Sequence, residues 1–128
     1  MRILLDTHVL IWALGEPQKL SAAVRDAITD PQNDVLFSAG SIWEIAIKFR
    51  LRRIDLSVEP NRIAREAMSN GFEELPIGAT AAARVADLAL HHGDPFDRIL
   101  IAQALCEPAK FFTADAALSP YSDLVTLI

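Results

Sequence analysis

One cysteine, Cys106, stands in the whole 128-residue chain. An intrachain disulfide is excluded, and a reducing compartment, the cytoplasm, is the expected setting. No Cys/His spacing of the kind that holds zinc occurs either, which leaves Cys106 as a small core residue. Long apolar runs are missing: nothing approaches the ~20 residues needed to cross a bilayer, so no membrane is expected. Asp6 and His8 interrupt the apolar start that a signal peptide requires. No repeat, low-complexity tract or linker divides the sequence, which reads as a single domain over residues 1–128 with enough chain for a real core. Positive charge is scarce as well. A net charge of −5 excludes a general basic coat for nucleic acid. Lys48, Arg50, Arg52 and Arg53 nevertheless crowd into one short strip that can grip a phosphate chain locally.

What is present in excess is apolar surface. The apolar share, 52%, lies slightly above the globular range and points to an extra covered face, such as a subunit or partner interface. The pattern alternates strands with helices. Short strands are expected at Arg2–Leu5, Asp34–Ser38, Glu73–Pro76, Lys110–Thr113 and Asp123–Leu127. Helices are expected at Thr7–Leu14, Ser21–Thr29, Ser41–Arg52, Pro60–Asn70, Thr80–His91 and Pro95–Glu107. Such alternation predicts an α/β fold with a central, mostly parallel sheet flanked by helices. In such sheets, sites form beyond the carboxyl ends of the strands, where strand order reverses.

Four acids fall at or inside apolar segments. Asp6 ends Ile3-Leu4-Leu5, Glu44 lies within Ile42-Trp43-Glu44-Ile45-Ala46-Ile47, Asp97 opens Asp97-Arg98-Ile99-Leu100-Ile101-Ala102, and Asp115 follows Phe111-Phe112-Thr113-Ala114. Acids avoid apolar surroundings unless they are paired or bind a metal. Singly, most have an ordinary role. Asp6, Asp94 and Asp115 suit helix N-caps, Asp94 with Pro95 after it, and Asp97 suits a first helical turn. Glu44 resists that reading. Only Ser41, Glu44 and Lys48 interrupt its apolar helix, at spacings of three and four, so they share one narrow polar stripe. That stripe is either an exposed Glu44–Lys48 ion pair or an acid aimed into a polar cleft, and the narrowness favours the cleft. His8 is open between cleft and core. His91 and His92 read as a solvated helix end, and Trp12 and Trp43 as core.

Together these pieces resemble a PIN domain, and within that family the toxin ribonucleases of VapBC-type toxin–antitoxin systems. The likeness rests on Leu4-Leu5-Asp6-Thr7-His8-Val9-Leu10-Ile11-Trp12, Ser38-Ala39-Gly40-Ser41-Ile42-Trp43-Glu44-Ile45-Ala46-Ile47-Lys48, His92-Gly93-Asp94-Pro95-Phe96-Asp97-Arg98-Ile99-Leu100-Ile101-Ala102-Gln103-Ala104 and Phe112-Thr113-Ala114-Asp115, in the family's order. The resemblance implies a PIN-like three-layer fold and an acidic site of Asp6, Glu44, Asp97 and Asp115 that holds Mg²⁺ or Mn²⁺. It also implies hydrolysis of RNA, a homodimer and a cognate antitoxin protein. On that reading Thr7, Ser38, Ser41 and Thr113 support the carboxylates, with Asp94 as a cap or an outer acid, and Lys48, Arg50, Arg52, Arg53 and Arg98 meet RNA. One departure stands out: where many relatives carry a further acid, this chain has Ala116, Ala117 and Leu118, so a second metal is expected to be weakly held or absent without substrate.

Three rival readings fit less well. A phospho-acceptor receiver wants paired acids after its first strand, and Asp6 has Leu5 and Thr7 as neighbours. An aspartyl phosphatase wants a second Asp two residues on, where His8 stands. A catalytically weak PIN fold that only binds RNA or antitoxin keeps the acids without a use for them.

Overall fold

The computed structural model describes residues 1–52 and 58–128. Five parallel strands, β1 (Arg2–Leu5), β2 (Asp34–Ser38), β3 (Glu73–Leu75), β4 (Lys110–Thr113) and β5 (Val125–Leu127), form one sheet in the order β3-β2-β1-β4-β5. The expected mostly parallel sheet is thus parallel throughout. The helices are α1 (Thr7–Gly15), α2 (Ala22–Thr29), α3 (Ala39–Arg50), α4 (Pro60–Ser69), α5 (Ala79–Arg84) and α6 (Pro95–Cys106), with 3-10 turns at Pro17–Lys19, Val85–Asp87 and Ala116–Tyr121.

Alternation along the strands makes three layers. Ile3, Leu5, Val35, Phe37 and Phe112 face a core that Val9, Leu10, Ile28, Ile45 and Ile63 complete from α1 to α4. Leu4, Leu36 and Phe111 face the opposite side, where Leu100, Ile101 and Ala104 of α6 meet Leu118. The central strand is buried on both faces, which is why Ile3-Leu4-Leu5 is continuously apolar.

Most helix starts follow their sequence signals. Ser21 accepts from Val24 N–H, Glu59 from Asn61 and Arg62 N–H ahead of Pro60, and Asp94 from Phe96 N–H ahead of Pro95. Gly71, just past α4, has φ +83°, a left-handed turn that glycine adopts without strain. At Gly40, α3 runs close to its surroundings: a methyl there would meet Ser38 Oγ at 3.1 Å, Ile77 Cδ1 at 3.3 Å and Ile99 Cγ2 of α6 at 3.5 Å.

Three expectations are corrected. The alanine-rich helix does not reach His91: α5 ends at Arg84 and becomes a 3-10 turn, and beyond it the Arg98 guanidinium donates to the carbonyls of Val85, Leu88 and Ala89. Trp43 is not core but 61% exposed, its ring set edge-on to Phe96 at 5.4 Å. Trp12, by contrast, packs partly buried against the first core. Cys106 is not a core residue either but half-buried, and it is unpaired. No helix among the described residues is long and apolar enough to cross a membrane.

Candidate active site

From β1 the chain steps outward through β2 to β3, then returns across the sheet by α5 and α6 to β4 on the other side of β1. The reversal point therefore lies at the carboxyl ends of β1 and β4, where a cleft is expected. Asp6 leaves β1 there, its N–H donating to Phe112 O at 2.9 Å. Register places Ser38 and Thr113 on its two flanks.

Each acid is fixed by local bonds. Asp6 is buried; its Oδ1 accepts from Thr7 N–H at 2.8 Å and its Oδ2 from the Thr113 hydroxyl at 2.6 Å. The same Thr113 oxygen accepts from Asp115 N–H at 3.1 Å, so one hydroxyl joins two acids. Thr7 Oγ1 donates to Ser41 Oγ at 2.9 Å, tying the start of α1 to the helix that carries Glu44. Ser38 Oγ caps α3 through Gly40 N–H and donates to Gln103, whose amide donates in turn to the carbonyls of Leu75 and Pro76. Every buried side-chain polar atom among the described residues has a partner.

Charge links Asp6 to Glu44 and to Asp97, and distance links Asp97 to Asp115. Asp6 feels the charge of Glu44, and Asp97 feels the charge of Asp6. Asp97, Asp115 and His92 each offer a ligand atom within 4.8 Å of the others. The N-cap roles of Asp6 and Asp115 are real, and they are also what aims these acids. Capping and convergence are one geometry. Asp94 caps α6 with Oδ1 and adds its charge to the field at Asp97.

Burial pushes the Asp6 carboxyl above its ordinary range, and the Glu44 charge adds to this; the hydrogen bonds from Thr113 and Thr7 and the charge of His8 oppose it. Asp97 is pushed up to about 6, first by burial, then by the charge of Asp6, with the His92 hydrogen bond opposing and Asp94 adding. Both folded-state values are raised, so in the metal-free protein these acids favour the fold most below their unfolded value of 3.8, and that contribution is lost as pH rises through about 6 for Asp97. Stability of metal-free protein in denaturant is accordingly expected to be greater at about pH 5 than at about pH 7. A steady gain between those two values would contradict the raised acids.

Lys48 stands beside Glu44, Nζ to Oε2 2.7 Å, with side chains 18% and 6% exposed. The polar stripe therefore holds an ion pair, but a largely buried one rather than a slim solvated edge. Arg50 and Arg52 are exposed at the end of α3, and Arg53 lies outside the described residues. The Arg98 guanidinium, expected to meet RNA, donates to the carbonyls of Val85, Leu88 and Ala89 and to Tyr121 Oη at 3.0 Å. His92 is likewise no solvated helix end, since its ring bridges Asp97 and Tyr121. Tyr121 and Gln103 went unmarked in the sequence. Gln103 alone had a signal, as a lone amide among apolar residues of α6.

The donor set fits a hard divalent cation. It consists of oxygens, carries far more negative than positive charge, and its acids are held against mutual repulsion by the Thr113 hydroxyl and a backbone N–H at Asp6, by a backbone N–H at Asp115, by Lys48 at Glu44 and by His92 at Asp97. A separate cavity of 490 Å³, lined by Asp30, Asn33 and Phe72 among others, opens where Asp34 and Glu73 begin β2 and β3. That is the opposite end of the strands from these acids.

Acids gathered at the carboxyl end of a parallel sheet define a class, and comparison with known proteins gives the class a family. The PIN domain model matches residues 3–123, and the chain belongs to that family. Within it the likeness is to VapC-type toxins: the chain is 31% identical over 120 residues, 91% of this chain and 88% of the other, to Ribonuclease VapC22 of Mycobacterium tuberculosis (strain ATCC 25618 / H37Rv). Its fold also matches a chain in the crystal structure of VapBC2 from Rickettsia felis bound to a DNA fragment from their promoter. That match has a TM-score of 0.73 at 13% identity, covers 100% of this chain and 98% of that one, and speaks to the fold alone.

Proposed function

We propose that this chain is a Mg²⁺- or Mn²⁺-dependent ribonuclease that acts as the toxin of a toxin–antitoxin pair. What supports this reading is a run of neighbouring acids from four separate segments, Glu44 acting on Asp6, Asp6 on Asp97, and Asp97 close to Asp115, with Lys48 paired to Glu44. So many carboxylates in one place call for a cation, and a cation in a carboxylate cup suits phosphate chemistry. Asp6 and Asp97 are the principal ligands, with Glu44 and Asp115 completing the cup. When bound there, the ion supplies a Lewis acid for the phosphate oxygens and makes water acidic enough to attack phosphorus at neutral pH.

The chain's own residues do the rest. Thr113 holds Asp6 and Asp115 at a fixed separation, and Thr7 and Ser41 set the angle of α3. Lys48 offsets the Glu44 charge. Arg50 and Arg52, exposed beyond it, track the backbone of RNA. Because protons compete with metal for carboxylates, ion affinity falls as pH drops through the Asp97 value of about 6.

A free ribonuclease harms its own cell, so an antitoxin must cover the cleft. An arginine reaching in from that partner would pair with these acids bidentately. Beside the cleft, Trp43, Ile77, Val85, Phe96 and Ile99 line an apolar pocket of 320 Å³ that suits a partner's apolar side chains. The chain works as a homodimer in the cytoplasm.

The test is RNA cleavage by partner-free protein with Mg²⁺, with Mn²⁺ and with chelator. Cleavage is expected with either ion and not with chelator. Cleavage undiminished by chelator would end the metal-dependent reading. Folded protein that binds RNA but cuts none under any condition would favour a PIN fold kept for binding.

A further inference from the structure

A chain of hydrogen bonds outside the four-acid cup ends on one of its members. His92 Nε2 lies 3.0 Å from Asp97 Oδ2, and His92 Nδ1 lies 3.2 Å from Tyr121 Oη. That phenol oxygen accepts from the backbone N–H of His92 at 3.1 Å and from Arg98 Nη1 at 3.0 Å. With both lone pairs taken, its own proton goes to His92 Nδ1 or to the His92 carbonyl, 3.2 Å away. The Arg98 guanidinium also clamps the carbonyls of Val85, Leu88 and Ala89, so the loop carrying His92 is fastened without help from Asp97. The His91 ring packs edge-on against Tyr121 at 4.8 Å and backs the phenol.

The ring nitrogens have fixed roles in this setting. A neutral imidazole has one donor and one acceptor. Nε2 faces a carboxylate, which accepts only, so Nε2 carries the proton and Nδ1 is left as an acceptor, within reach of the Tyr121 proton that the His92 carbonyl also faces. Asp97 Oδ2 is thereby held from the loop side, while Oδ1 takes no hydrogen bond among the described residues.

We propose that His92 is a positioning residue for Asp97, itself oriented by Tyr121 and Arg98, which turns one carboxylate oxygen of Asp97 away and leaves the other for the cation. This rests on the reading that Asp97 binds the ion. Partners of this kind, hydrogen-bonded to a ligand rather than to the metal, commonly affect affinity by about 10–100-fold. Arg98 thus serves the site by holding the loop that holds the acid.

Two measurements test it. In metal-free, ¹⁵N-histidine-labelled protein at about pH 8, long-range ¹H–¹⁵N correlation should show the proton of His92 on Nε2, and Tyr121→Phe should move the ring toward a tautomer mixture. A wild-type ring protonated on Nδ1 alone overturns the proposal, and this arm needs no altered site residue to fold. The second arm is Mn²⁺ affinity from the free-ion paramagnetic resonance signal. His92→Ala should weaken binding about tenfold, His92→Gln should recover most of the loss because its amide can donate to the same oxygen, and Asp97→Asn should weaken it further. Asp97→Asn weakened beside unchanged His92→Ala overturns the positioning role alone. Unchanged binding in Asp97→Asn overturns the ligand reading beneath it. Nitrogen hyperfine coupling from His92 to bound Mn²⁺ would make the ring a ligand and also overturn the proposal.

Discussion

Asp6→Asn is expected to reduce RNA cleavage by at least about 10²-fold, since altering even a residue that only supports a ligand costs 10–100-fold. The fold should survive. Asparagine caps a helix about as well as aspartate, its Oδ1 can still accept from Thr7 N–H, and its amide can donate to the Thr113 oxygen that Asp6 now accepts from. Metal-free protein should melt at the same temperature or higher, because burial and the Glu44 charge disfavour ionised Asp6 in the fold. Lost activity with retained or raised stability separates a chemical role from a structural one. A variant that keeps more than roughly a tenth of wild-type cleavage would mean that Asp6 is not a principal ligand.

Lys48→Met should give the second large effect. It keeps the apolar stem along α3 and removes the ammonium 2.7 Å from Glu44. Glu44, with a side chain only 6% exposed, would then hold an uncompensated charge beside Asp6. Breaking a fully buried pair costs ~3–5 kcal/mol, and Lys48 is partly open to water, so a loss of roughly 2–4 kcal/mol is expected from denaturant unfolding without metal. Divalent ion should return more of this stability in the variant than it adds to wild type, since it supplies the missing positive charge. An equal loss with and without ion would show that Lys48 and the cation site are independent.

These effects depend on features that differ in how visible they were beforehand. Asp6 and Asp115 were legible because each follows a strand, and the carboxyl end of a parallel strand has one destination. Glu44 was legible because only three polar residues break its helix, and two of them, Ser41 and Glu44, are buried. Among the described residues, the strands and the helices other than α5 followed from period and punctuation, to within a few residues at their ends. What failed depended on contacts distant in sequence. Nothing near Arg84 says that α5 should stop, and the guanidinium that takes up the carbonyls just beyond it comes from α6. His92 meets Tyr121 across 29 residues of chain, so its neighbours Gly93 and Asp94 gave no hint of a two-sided ring. Trp43 was read as core from its apolar setting, yet it lies on the outer face of α3 against Phe96, where a partner rather than the protein's own core can cover it.

Strand order also bears on when the chain could become harmful. Asp6 leaves the ribosome more than a hundred residues before Asp115, yet β1 and β4 are neighbours and Thr113 bonds to both acids. A nascent chain can build β1, β2 and β3 and still lack one wall of its cleft. The nuclease proposed above would stay inert until β4 has been made and paired with β1, and an inhibitor made beforehand would meet it as that pairing forms.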